Sequence, residues 1–286
     1  MTLRDLLVVL DGSARMTAVL GVAIDLAQRY DAHLTGIFPF EVLMPGHQDL
    51  GLGGYAELTM LQEIAGRLEG AAVAKAEEIE TGFREMLRRN DVRGAWQLAQ
   101  GVPAEAVARQ ARMADLVVLG QADPDHPLPP SVRTLIEDVL MIAGRPLLLV
   151  PYAGTFDTIG TNVLVGWRDT KEAARAVHDA LLLIAPNATV TVLTVERGAP
   201  GVEPREMPGA EVAAHLARHG LTATAARTAT DGSITDADAL LSYASDIGAD
   251  LMVVGGYGHS RARELVLGGV SRGLLQHMTA PLLMSH

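Results

Sequence analysis

The residues best placed to do chemistry lie near the end of the chain. Gly255-Gly256-Tyr257-Gly258-His259-Ser260 is followed by Leu267-Gly268-Gly269-Val270-Ser271. Glycines at 255 and 258 permit turns that a side chain bearing Cβ resists. Gly268-Gly269 directly precedes a helical pattern running to about Met278, and a helix start offers free N–H donors and a positive dipole end. Two glycine elements around one hollow make a cradle for a phosphate. Other patterns carry less. Gly269-Val270-Ser271-Arg272-Gly273 matches a nucleophile elbow, but a helix surrounds the serine and no Asp follows it, so hydrolase chemistry is not expected. Gly256-x-Gly258 lacks the third glycine of a dinucleotide fingerprint. His215 and His219 stand four apart on a helical stretch, without an intervening Glu or a third ligand in view, and read as a solvated face. Trp167 and Tyr257 either stack on a base or pack. Asp231-Gly232-Ser233 reads as a turn. No set of residues forms a general base, and no catalytic residue is assigned.

Composition narrows the partners. The 286 residues carry 23 Lys+Arg against 34 Asp+Glu, a formal charge of −11. That excess of acid argues against nucleic acid, whose recognition needs clustered positive charge. Hydrophobic residues make up 49% and aromatics 4%, which allows a large aliphatic core. With no Cys, thiolate chemistry and disulfides are excluded. No apolar run approaches the roughly 20 residues of a spanning helix, and no export signal is visible; a cytoplasmic protein without membrane contact is expected.

The elements that must position the glycines come in two copies. Ala114-Asp115-Leu116-Val117-Val118-Leu119-Gly120 matches Ala249-Asp250-Leu251-Met252-Val253-Val254-Gly255, and Pro146-Leu147-Leu148-Leu149 matches Pro281-Leu282-Leu283-Met284 at the same spacing. The first strands correspond as well, Leu7–Ser13 with Leu164–Thr170. The larger spacing there places extra residues in the first copy, expected as a loop around Glu41 to Gln62. Apolar runs at Leu6–Leu10, Leu34–Phe38, Gln97–Ala99, Leu116–Leu119 and Leu147–Val150 alternate with helical patterns. The second copy repeats this at Val163–Gly166, Val190–Val195, Thr222–Ala226, Leu251–Val254 and Leu282–Met284. Such alternation predicts an α/β fold, two tandem doubly wound five-stranded parallel sheets with helices on both faces. The units are expected over residues 1–152 and 153–286, related by a pseudo-two-fold. In such sheets ligands sit beyond the carboxyl ends of the strands.

The spacing Gly255, two residues, Gly258, nine residues, Gly268, continued by Leu274-Leu275-Gln276-His277-Met278-Thr279-Ala280-Pro281-Leu282-Leu283, resembles the nucleotide-binding signature of universal stress proteins. The chain looks like a tandem of two such domains. The resemblance implies an ATP site, with Mg as its companion ion, in the second domain. Its phosphates would lie on Gly255, Gly258, His259, Ser260, Gly268, Gly269, Val270 and Ser271, and its nucleoside near Gly166, Trp167, Arg168 and Asp169. Two departures stand out. Gly269 occupies the family's hydroxyl position, and Arg168 stands where the family carries an acid. In the first copy Asp123, Arg133 and Thr134 replace Gly258, Gly268 and Gly269, and Pro124, Pro127, Pro129 and Pro130 remove N–H donors, so no triphosphate is expected there. The proline-led strands Pro146–Val150 and Pro281–Ser285 are expected to pair antiparallel, as subunits of the family do. These features imply a regulatory stress-response module with an unidentified protein partner, at most a slow ATPase, able to form a homodimer of tandem chains. The alternative is a scaffold of the same fold that binds no nucleotide.

Overall fold

The computed structural model describes residues 2–42, 55–123, 134–197, 207–230, 232–256 and 268–286. In the first half, β1 (Asp5–Val9), β2 (His33–Phe40), β3 (Gly94–Gln100), β4 (Leu116–Gly120) and β5 (Leu147–Val150) alternate with α1 (Met16–Tyr30), α2 (Tyr55–Arg89), α3 (Pro103–Ala111) and α4 (Leu135–Ile142). The second half repeats the plan with β6 (Asn162–Gly166), α5 (Lys171–Ala180), β7 (Thr189–Arg197), α6 (Ala210–Arg218), β8 (Thr222–Thr230), α7 (Asp236–Asp246), β9 (Leu251–Gly255), α8 (Gly269–His277) and β10 (Leu282–Ser285). Within each half every strand pair is parallel. Crossover helices cover both faces, as parallel sheets require.

The two five-stranded sheets join edge to edge. β10 pairs antiparallel with β5, Leu282 opposite Leu149 and Met284 opposite Leu147. The order is β3-β2-β1-β4-β5-β10-β9-β6-β7-β8. This bears out the antiparallel pairing of the proline-led strands, which joins five strands from each half. Pairing satisfies the backbone groups that two free edges would otherwise expose.

Strand residues alternate between two cores. Leu6 and Val8 of β1 join Ile24, Phe83, Val163 and Leu216 on one face; Leu7 and Val9 join Val107, Leu140, Leu240 and Leu274 on the other. The residues preceding β3 also differ from expectation. Glu41 to Gln62 does not form one loop: residues 43–54 lie outside the described residues, and from Tyr55 the chain is already in α2. α2 has 35 residues against nine for its counterpart α6, so much of the extra sequence lengthens a helix.

One side chain ties the halves together away from the strand seam. Gln121, only 6% exposed, follows β4. Its Nε2 donates to the carbonyls of Leu275 (2.8 Å) and Gln276 (3.1 Å) near the end of α8, and its Oε1 accepts from the Tyr152 N–H (3.0 Å). The equivalent position in the second half is Gly256, where an added Cβ would stand 2.7 Å from Leu140 Cδ2. Replacing Gln121 by alanine leaves three part-buried polar groups without their partner and is expected to cost about 1–2 kcal/mol, read as a lower urea midpoint at unchanged slope.

Candidate functional site

The residues singled out in the sequence gather at the carboxyl rim of the second half, as far as they are described. β6 ends at Gly166, whose added Cβ would lie 3.0 Å from Val254 Cγ1 and 3.2 Å from Leu240 Cδ2. The Trp167 N–H extends the ladder, donating to the Leu193 carbonyl at 2.8 Å. Its indole is half-buried against the core beside Gly209, so the packing alternative describes it. Arg168 and Asp169 are exposed. Thr170 then starts α5, its Oγ1 accepting from the Ala173 N–H at 3.2 Å, as a helix N-cap does.

Gly255 ends β9 for a reason that needs no ligand. A Cβ there would fall 2.4 Å from the Ala173 nitrogen and 2.6 Å from the Glu172 carbonyl carbon. The start of α5 rests directly on the strand, and backbone cannot step aside as a side chain can. The same contact buries Glu172, which is 6% exposed and lies 3.5 Å from Lys171. Sequence reasoning did not single out Glu172; a Glu two residues after a Thr N-cap, where the helix dipole favours negative charge, was the available signal.

Gly268 and Gly269 present the opposite case. Gly268 is the N-cap of α8 with an ordinary φ of −57°. A Cβ on either glycine would meet nothing within 4 Å among the described residues. Among the described residues, neither packing nor backbone conformation demands glycine at these two positions. Among the described residues the α8 start has no side-chain cap and no acid in its first turn. Val270 is half-buried against the core. Ser271 is buried with Leu274 on the inner side of α8, so its hydroxyl does not replace one missing at Gly269. Tyr257, Gly258, His259 and Ser260 lie outside the described residues.

The first half differs at each of these points. Gly12 has φ +72°, and a Cβ on it would stand 3.0 Å from Lys75 Cε and 3.1 Å from Ile79 Cδ1; α2 thus lies across the loop after β1. Asp11 is engaged by the Ser13 N–H at 2.9 Å. The counterpart of α8 is α4, with Glu137 and Asp138 in its first turn and Thr134 at its N-cap. Burial raises the Glu137 carboxyl above its ordinary range, with Arg272 opposing and Asp138 adding to the rise. Arg133 and the four prolines lie outside the described residues. Among the described residues no helix is long and apolar enough to cross a membrane, and no group of three or more His, Cys, Asp or Glu is placed to hold a metal ion.

Residues 161–286 match the Universal stress protein family. No curated protein matches. Solved structures share the fold over the full length. One is a universal stress protein from Archaeoglobus fulgidus DSM 4304, at 15% identity and TM-score 0.69, covering 98% of this chain and 95% of that one. A putative universal stress protein from Pseudomonas aeruginosa UCBPP-PA14 follows at 16% identity and TM-score 0.53, covering 99% and 93%. A functionally unknown protein from Pseudomonas aeruginosa PAO1 stands at 15% and 0.54, covering 99% and 92%. Residues 161–286 therefore form a universal stress protein family domain, which follows a first half of the same strand order.

Proposed function

We propose that the chain is a cytoplasmic, non-catalytic stress-response module of two units, residues 1–152 and 153–286, whose second unit binds an adenine nucleotide, ATP with Mg. The observation that carries this reading is the start of α8. Among the described residues nothing crowds Gly268 or Gly269, neither needs glycine for its backbone conformation, and the first turn holds no acid. An anion is the ligand such a helix start favours. Arg168, exposed after β6, brings a five-donor fork suited to phosphate oxygens, and Asp169 beside it is a carboxylate available to the ion. Gly258, His259 and Ser260 would complete the phosphate contacts. Nucleotide bound there would change the surface offered to a protein partner, in a single chain or a homodimer of chains.

The second reading, a scaffold without nucleotide, draws on Arg168 and Gly269. An arginine cannot accept from a ribose hydroxyl, and glycine offers phosphate no hydroxyl. Calorimetric titration with ATP and AMP, after acid extraction to detect co-purified nucleotide, separates the two. Gly269→Asp is the informative variant: its Cβ has room, and an acid in the first turn suits the helix. It is expected to fold with undiminished stability and to lose at least tenfold in ATP affinity. Absence of heat with millimolar ATP favours the scaffold.

A further inference from the structure

The joined sheet ends on β8, and among the described residues nothing pairs with the outer edge of that strand. Its nine residues keep unbroken register with β7 from Thr222 to Thr230, without the proline, lysine or bulge that blunts an open edge. The strand reads Thr-Ala-Thr-Ala-Ala-Arg-Thr-Ala-Thr. About Ala226 it is the same in both directions, except that Arg227 mirrors Ala225. We propose that β8 is a self-association edge: two copies of this chain pair antiparallel along it, about a two-fold axis at Ala226, and their sheets become continuous.

Backbone phase supports it. The Thr222 N–H donates to the Ala188 carbonyl on the β7 side at 3.1 Å, and successive strand residues turn their N–H and C=O to alternate sides. Ala223, Ala225, Arg227 and Ala229 therefore aim theirs at the open edge. A two-fold at Ala226 sets Ala223 opposite Ala229 of the second copy and Ala225 opposite its Arg227. Every outward residue then meets an outward residue, and each such pair exchanges both of its hydrogen bonds. A mirror centre between two residues would set outward residues against inward ones, so the centre of the sequence pattern falls where pairing needs it. Side chains agree. Ala223 and Ala225 pack on one core and Ala226 on the other, which puts Thr222, Thr224, Thr228 and Thr230 on the face of Ala226. Pairing sets Thr222 against Thr230 and Thr224 against Thr228 of the second copy, cross-strand threonine pairs that favour a sheet. Arg227, the one charge on the strand, faces the second copy's alanine rather than its own mate, and Glu196 of β7 lies 3.9 Å from it. The opposite edge, β3, lacks this symmetry: about Gln97, Gly94 mirrors Gln100 and Trp96 mirrors Leu98. A two-fold contact of this kind uses up the edge and closes at two copies.

The pairing needs no nucleotide and is tested without one. Small side chains along one strand edge make a small interface, so a micromolar dissociation constant is expected. Salt is expected to tighten it, because each copy carries a charge of −11 and screening relieves their repulsion. Sedimentation of the full chain over a concentration series reads the dimer. Ala229→Pro removes an outward N–H and spares the ladder to β7. Thr224→Lys with Thr228→Lys sets like charges opposite each other across the axis. Each change is expected to weaken the dimer at least about tenfold. Mixing the lysine variant with one carrying Thr224→Glu and Thr228→Glu is expected to restore a dimer of one copy of each, which a folding defect could not do. A chain that stays monomeric at millimolar concentration overturns the proposal and leaves the edge to another protein's strand. A dimer that these variants leave unchanged overturns it too, as does a lysine and glutamate mixture that stays apart.

Discussion

Replacing Gly255 by alanine is expected to destabilise the second half by about 3 kcal/mol or more, at the upper end of what overpacking costs. The added methyl would have to occupy space 2.4 Å from the Ala173 nitrogen and 2.6 Å from the Glu172 carbonyl carbon. Both atoms belong to backbone in the first turn of α5. Relief requires the helix to lift, and Ala173, Ala176, Val177 and Ala180 are buried beneath it. Small residues let α5 lie close to the sheet, so the loss of contact spreads along the helix. Gly269→Ala is the matched control. Its Cβ has open space, and alanine is the better helix former by about 1 kcal/mol in a helix interior, so its urea midpoint is expected to hold or rise. Equal tolerance of both substitutions in urea denaturation would contradict the close approach of α5 to β9.

Asp250→Ala is expected to cost about 3–4 kcal/mol, because one carboxylate organises the start of β6. Asp250 Oδ1 accepts from the N–H groups of Gly160, Thr161 and Asn162, each at 3.0 Å. Oδ2 accepts from the Thr161 N–H at 3.0 Å and from the Thr161 hydroxyl. Hydrogen bonds to a charged acceptor are worth roughly 1.5–3 kcal/mol each, and they share one acceptor and so do not add. Gly160 has φ +88° and no room for a Cβ beside the Leu183 carbonyl, so this turn depends on both its glycine and its carboxylate. The equivalent Asp115 holds two N–H groups, those of Arg4 at 2.7 Å and Asp5 at 3.1 Å. Asp115→Ala is therefore expected to cost about half as much. Denaturant midpoints of the two variants decide the matter; the reverse order of sensitivity would sink the comparison.

What the residues disclosed in advance follows from where the physics is local. Continuous apolar runs such as Leu116–Leu119 and Leu251–Val254 read as buried parallel strands, and they are. Strand-opening prolines at 146 and 281 pointed to the seam that β5 and β10 form. The outer strands were read short: Gln97–Ala99 stands for Gly94–Gln100 and Thr222–Ala226 for Thr222–Thr230. An edge strand half open to water needs no apolar run, and β8 alternates threonine and alanine instead. Apolar residues at helical spacing from Glu57 to Arg89 marked α2 to within two residues of its start at Tyr55. At the candidate site, a glycine's identity alone could not distinguish Gly255, which yields to backbone, from Gly268 and Gly269, which no described residue crowds. Nor could the pattern of His215 and His219, read as a solvated face, reveal that His178 packs on His215 from another helix.

The antiparallel seam between β5 and β10 has a geometric consequence. Strands on its two sides run in opposite directions, so the carboxyl rims of the two halves look out from opposite borders of the sheet. A large body laid along one border leaves the other uncovered, and two visitors arriving at once need not collide. Any influence of one on the other has to be conducted through the strands at the centre and through the few side chains, Gln121 foremost, that reach from one half into the other.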